Sequence, residues 1–372
     1  MFNKLTPEEA INVTWLSVAL TFCWPLPPNS SRVKLFGYKV IQVASIINGF
    51  MLLAPLLYAV YLHSHNVAIV SGDISLCIGV IQIIVQTIIC IVKHDNLQRV
   101  INEMVTYVKE ARQSEREIFC KYITKCDIFY ASSIACMYLT ATAFSLGPVF
   151  MSIPFPADAV YPFRVNYTPV YVMVYMHQFF LSYQCAAHTC LSMFGALLFW
   201  FSAARFECLA MELRKSTDVR MLVTFIKKQL HLRKYAVDVV NGFRFIILFA
   251  LLGSLVILCL VGFIFLLKTP LVVKIQFLAV FFTLLTEIYV YAWSADNMKD
   301  MSINVSQSAY EMTWYDQSLE MQKIALHVLQ FQNPVILSIS CILPEFTLRY
   351  YCSYLSNAFS IFTALRAVIQ DM

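Results

Sequence analysis

Six polar side chains near the end of this 372-residue chain fall on one helical face. Arg349, Ser353, Ser356, Asn357, Ser360 and Thr363 recur at three- and four-residue steps, while Leu348, Leu355, Phe359, Phe362 and Leu365 take the other side. In so apolar a chain, a stripe of hydroxyls and amides is what a membrane helix turns toward water, an ion path or a partner subunit. Neutral dipoles stabilise partly hydrated cations, and a ring of narrow apolar groups stops conduction by dewetting. On a wheel centred at Ser353 the facing set is Arg349, Ser353, Ser356, Asn357 and Ser360, then Ala364 and Ala367, with Val368 at the edge. A gate is therefore expected at Ala364 and Val368, or at Thr363 if the helix is turned by one residue. Arg349, at the inner mouth, is expected to snorkel, to pair with Glu345 or to mark where this subunit relies on neighbouring subunits. The competing reading is glue between helices of one bundle, which would bury the same Ser and Asn inside a single subunit.

Other reactive residues form no site. No nucleophile–base–orienter set, phosphate loop or H-x-x-x-H pair shares a face, so no catalytic residue is assigned and an enzyme is not expected. His177, His188, Cys185 and Cys190 point to different faces without a carboxylate, so no metal or other cofactor is expected. Glu287 is the clear carboxylate inside a span and is expected to join an inner-end network with a cytoplasmic arginine. The twelve cysteines include no C-x-x-C pair, and most fall in spans or inner loops, which suits packing.

The elements that must position these residues are membrane helices. The chain is 59% hydrophobic and 13% charged, with a mean hydropathy of +0.68. The fold class implied is an all-α polytopic membrane protein; the apolar runs are too long, and alternate too little, for a β-barrel. The net charge of +5 does not point to nucleic acid, because the basic residues lie between spans. Seven spans are expected at 35–62, 72–93, 127–150, 169–203, 240–267, 272–295 and 346–368, the first of them retained rather than cleaved. Most of the 27 Lys and Arg then fall in the N-terminal, second–third and fourth–fifth connecting segments, placing the N-terminus inside and the C-terminus outside. The sequon at Asn166 lies in the one sizeable outer loop and is the expected glycosylation site.

Four segments follow: a cytoplasmic stretch over 1–34, six spans with the ligand bundle over 35–295, a cytoplasmic anchor helix over 296–345, and the last span with a short outer tail over 346–372. Leu319, Ile324, Leu326 and Leu329 are interleaved with Gln and charged residues in the third segment, which is expected to end at a break at Pro344.

Ala309-Tyr310, Trp314-Tyr315, Gln332-Asn333-Pro334, Pro344 and the run YCSYLSNAFSIFTALR from Tyr351 carry a family likeness. With the early Trp24-Pro25, they resemble the insect odorant receptors, seven-span ligand-gated cation channel subunits; Ile361 stands where an aromatic is more usual. The resemblance implies a heterotetramer with a shared co-receptor subunit, anchored by the cytoplasmic ends of spans four to six and the helix before span seven. It implies one pore lined by the last spans, in the plasma membrane of olfactory neuron dendrites. Only about 35 residues connect spans four and five, which resembles a ligand-tuning subunit. In the family a small volatile binds in the outer half of the bundle, between spans two, three, four and six. The matching positions here are Val80 and Ile83 on span two, and Tyr138, Thr142 and Phe144 on span three. Span four offers Tyr171, Tyr175, Gln178 and Phe179, and span six Phe277 and Phe281. Burying ~200 Å² of apolar ligand surface at ~25 cal/mol per Å² gives about 5 kcal/mol before ordering costs.

Three rivals fare worse. A G-protein-coupled receptor lacks its Asn-Pro-x-x-Tyr and Asp-Arg-Tyr signals here and has the opposite orientation. A transporter would show inverted repeats and paired broken spans. The insect gustatory receptors share the architecture, but Phe362-Thr363-Ala364-Leu365-Arg366 departs from their usual ending.

Overall fold

Local capping chemistry starts the first helices. In the computed structural model, which describes residues 5–150, 153–165, 167–214, 218–311, 315, 318–329, 333–339 and 345–370, helix α1 (Pro7–Ser17) opens with a capping box. The Thr6 N–H donates to Glu9 Oε2 at 2.7 Å, and the Glu9 N–H donates to Thr6 Oγ1 at 3.3 Å. The bond from the Thr6 backbone N–H, and after it the Thr6 hydroxyl, hold the Glu9 carboxyl below its ordinary pKa. Ser31 caps α2 (Arg32–Leu62), and Asn66 caps α3 (Val67–Val92) by accepting from the Ala68 and Ile69 N–H groups. Helix α4 (His94–Glu110) buries Leu97, Val100, Ile101, Met104 and Val108, the stripe its spacing dictates.

Five longer units complete the bundle: α5 (Gln113–Ser145), α7 (Thr168–Thr189) running end to end into α8 (Leu191–Arg214), α9 (Val219–Leu266), α10 (Leu271–Glu311) and α12 (Leu348–Gln370). The four-residue α6 (Gly147–Phe150) and the short α11 (Leu319–Leu329) lie between them. Six of these units are long and apolar enough to cross a membrane: α2, α3, α5, α7 with α8, α9 and α10. Helix α12 has 23 residues, but Arg349, Ser353, Ser356, Asn357, Ser360 and Arg366 interrupt its apolar sequence.

The α7–α8 unit is the axis of the bundle. Its apolar window is 89% buried, against 22–50% for the other five. Phe194, Phe199 and Phe206 are fully enclosed, and Gly195 lets the Tyr291 and Phe243 rings close onto the α8 backbone. Beyond the apolar zone, charges tie the helix extensions together. Arg205 pairs with Glu103 at 2.6 Å, and its guanidinium lies 4.4 Å from the Tyr107 ring centre and 5.1 Å from that of Tyr235. Arg214 reaches Glu311 at 2.9 Å and Lys228 reaches Glu212 at 2.5 Å.

Several helices outrun the spans expected from hydropathy. Helix α5 starts at Gln113 rather than 127, α9 at Val219 rather than 240, and α10 runs past 295 to Glu311. Hydropathy reads the lipid-sized stretch alone, whereas no Gly or Pro stops these helices where the polar residues begin. The expected anchor helix over 296–345 thus resolves into the end of α10, the separate α11 and an extended segment over 333–339. Pro344 and Asn166 lie outside the described residues. Glu345 pairs with Lys299 at 2.5 Å, not with Arg349, which is exposed. Every described cysteine is a free thiol.

Candidate ligand cavity and polar last helix

A cavity of about 140 Å³ lies between α3, α5, α7 and α10, with Leu52 and Leu56 of α2 and Ile257 of α9 completing its wall. The volume is close to that of an engineered apolar cavity of ~150 Å³ that stays dry and binds benzene. Val80, Ile83, Phe144, Gln178 and Phe277, all expected from the sequence, line it.

The other six expected residues face elsewhere. The Tyr138 hydroxyl donates to the Ser17 carbonyl at 2.7 Å, fastening α5 to the end of α1. Thr142 lies 3.0 Å from the Tyr183 hydroxyl, and Phe179 packs tilted against the same ring at 4.8 Å, so these form a cluster beside the cavity. Tyr171 and Tyr175 donate to the carbonyls of Pro154 and Ser145 at 2.9 and 2.8 Å, holding the connection between α5 and α7. Phe281 packs edge-on against Phe282.

That connection closes one mouth of the cavity. Pro156 and Ala157 are part of the wall. Gln178 Oε1 accepts from the Ala157 N–H at 2.8 Å, its Nε2 donates to the Tyr161 hydroxyl at 3.0 Å, and the Val160 N–H donates to the Pro55 carbonyl at 3.3 Å. Gln178 therefore spends its amide on holding the loop. Sequence reasoning missed Gly79, Thr140, Ser182, Cys185 and Thr283, which also line the cavity. Small residues at helix contacts were the available signal. Gly79 has only Cys185 Sγ near its absent Cβ, at 3.6 Å, so its backbone borders the open space.

The polar side chains within the spans meet protein partners. His188 is buried between Gln86 Oε1 at 3.1 Å and Thr87 Oγ1 at 3.4 Å, and His177 meets the Asn48 carbonyl at 3.3 Å. Glu287 does not join an arginine. It is fully buried and accepts from Gln82 Nε2 at 3.2 Å, because α3 and not an inner loop faces that turn of α10.

Helix α12 is fastened along one side only. The Tyr354 hydroxyl meets Ser254 Oγ at 2.7 Å, the Tyr351 hydroxyl donates to the Leu285 carbonyl at 3.3 Å, and Phe362 packs on Phe263 at 5.8 Å. Gly262 permits this approach, since a Cβ there would stand 2.6 Å from the Phe362 ring. Tyr354 and Ala358 are buried, whereas Ser353, Ser356, Asn357, Ser360, Thr363 and Ala364 are exposed. The Ser353, Ser360 and Thr363 hydroxyls donate to carbonyls of the preceding turn, so the exposed stripe carries no stranded donor there. Phe359 is exposed beside it. The side chain of Val368 lies outside the described residues.

A bundle of long apolar helices with a half-open cavity and a half-packed polar helix is the architecture of a multi-pass membrane protein. Residues 66–359 match the family model described as 7tm Odorant receptor, and the chain belongs to that family. It is thus a multi-pass membrane protein of an olfactory receptor family and not of an enzyme class. Odorant receptor 10 of Aedes albopictus is 22% identical over 263 residues, covering 66% of this chain and 69% of that protein. The olfactory receptor OR5 from Machilis hrabei superposes with a TM-score of 0.79 at 15% identity, over 96% of this chain and 97% of that one. Its complex with eugenol gives 0.82 at 15% identity, over 97% and 98%.

Proposed function

We propose that this chain is the odorant-binding subunit of a heteromeric, odorant-gated, non-selective cation channel. The observation that carries this reading is the pairing of a half-open, mainly apolar cavity with a helix whose hydroxyl and amide face is left uncovered. Such a face is costly against lipid and favourable around water shared with other subunits. Helix α12 is then a seventh span, with the N-terminus inside, the C-terminus outside and Asn166 in a glycosylated outer loop. Ser353, Ser356, Asn357 and Ser360 line the conduit, and Thr363, Ala364 and Val368 form its narrow end. The ligand is a small volatile, as eugenol is for the Machilis hrabei receptor of the same fold. Val80, Ile83, Phe144, Gln178 and Phe277 contact it directly. Tyr138, Thr142, Tyr171, Tyr175, Phe179 and Phe281 support the wall from behind. The other subunits are a shared co-receptor, and the site of action is the dendritic membrane of olfactory neurons.

Co-expression with and without a co-receptor subunit, with currents recorded against a chemically varied odour panel, tests the reading. A cation current evoked by a few small volatiles in the pair is the expected result. Normal surface expression of both chains with no evoked current across the panel would overturn it.

A further inference from the structure

We infer that the cavity selects ligands bearing an O–H or N–H donor over those that offer only an acceptor, and that Thr140 and Thr283 are the residues that select. This rests on the cavity being the odorant site. Five hydroxyl side chains line it, and each has a backbone carbonyl of its own helix within reach of its one proton. Ser75 donates to Ser71 at 2.7 Å, Thr140 to Cys136 at 2.9 Å, Ser182 to Gln178 at 2.9 Å, Thr189 to Ala186 at 2.7 Å and Thr283 to Ala279 at 2.8 Å.

Proton counting does the rest. The Thr140 and Thr283 oxygens face each other at 2.9 Å across α5 and α10. Two hydroxyl protons serve three possible bonds, two to carbonyls and one between the hydroxyls, and the Cys136 thiol, 4.0 Å from Thr283 Oγ1, adds at most one weak bond, so no hydroxyl proton is spare while lone pairs remain. A ligand carbonyl or ether oxygen meeting this pair must displace a bond already made. A ligand hydroxyl adds one to the free lone pairs at no such loss. The amides of Gln82 and Gln178 keep a second N–H each, but both side chains are already fixed, Gln82 on Glu287 and Gln178 on Ala157 and Tyr161. The threonine pair is also where hydroxyls of two different helices converge on the same space.

Benzyl alcohol, benzaldehyde and ethylbenzene have the same number of heavy atoms and suit the cavity volume. Their affinities for the detergent-solubilised full chain can be read from ligand-induced shifts in the unfolding midpoint. Val is close to Thr in shape, so the Thr140→Val, Thr283→Val double variant removes both oxygens and little volume. It is expected to weaken benzyl alcohol about threefold to tenfold, the worth of one net hydrogen bond. Benzaldehyde and ethylbenzene should be unchanged or bound more tightly. Equal weakening of benzaldehyde, or no weakening of benzyl alcohol, overturns the donor preference alone. If none of the three binds, or if Gly79→Leu leaves the binding of all three intact, the cavity itself is not the site and both readings fall.

Discussion

A Gly195→Val receptor is expected to yield less than about a tenth of the wild-type folded protein in detergent-resistant, monodisperse form. Gly195 lies in the second turn of α8, near the middle of the α7–α8 unit, the most enclosed unit of the bundle. A Cβ there would stand 2.8 Å from the Tyr291 ring and 2.9 Å from the Phe243 ring, distances that real Cβ atoms essentially never show. Neither ring can swing aside. Both are fully buried, and Phe243 is wedged between Phe194 at 5.1 Å and Phe199 at 6.3 Å, with Trp24 stacked behind Phe194 at 4.7 Å. Overpacking a core commonly costs 1–3 kcal/mol, and the two added methyls of Val place this site at or above the top of that range. Against a total of about 5–15 kcal/mol, that removes about a fifth of the stability or more, and a loss of about 1–2 kcal/mol already lowers the amount of folded protein several-fold through cellular quality control. Fluorescence-detected size-exclusion chromatography of Gly195→Ala and Gly195→Val checks it, with Ala intermediate. A wild-type elution peak for the Val variant would mean that α8 and α10 do not meet as described.

Gly79 should behave in the opposite way. Its Cβ position is in ordinary contact with Cys185 Sγ, so Gly79→Ala is tolerated, but the longer branch of Gly79→Leu extends into the cavity. A ligand that loses about 100 Å² of apolar contact loses ~2.5 kcal/mol, between one and two powers of ten in affinity. Odorant dose–response curves of the Gly79→Leu receptor should move about 30- to 100-fold to higher concentration, with surface expression and maximal current retained. An unshifted curve would place the ligand elsewhere.

The contrast between these two glycines shows where sequence alone runs out. Periodicity and charge made the apolar helices and the polar stripe from Ser353 to Ser360 legible, because both follow from spacing along one helix. The cavity is a property of six elements at once. Tyr138, Tyr171 and Tyr175 look like ligand-binding aromatics in sequence, yet their hydroxyls go to backbone carbonyls 17 to 121 positions away. No local pattern encodes those partners. Thr140, Thr283 and Gly79 are inconspicuous in sequence, and only the approach of neighbouring helices gives them a role. Helices α9 and α10 run beyond their spans for a simpler reason, since hydropathy marks where lipid ends and not where a helix does.

Cysteine accessibility along α12 bears most directly on the claim that its polar face meets a shared aqueous path. In a Cys352→Ala background co-expressed with the co-receptor, single cysteines at Asn357, Ser360 and the buried Ala358 would be exposed to a charged, membrane-impermeant thiol reagent during odorant-evoked current. Rapid, irreversible loss of current at Asn357 and Ser360 with none at Ala358 is the expected result. Reaction at Ala358 while Asn357 and Ser360 stay silent, or modification of all three without change in current, would contradict it.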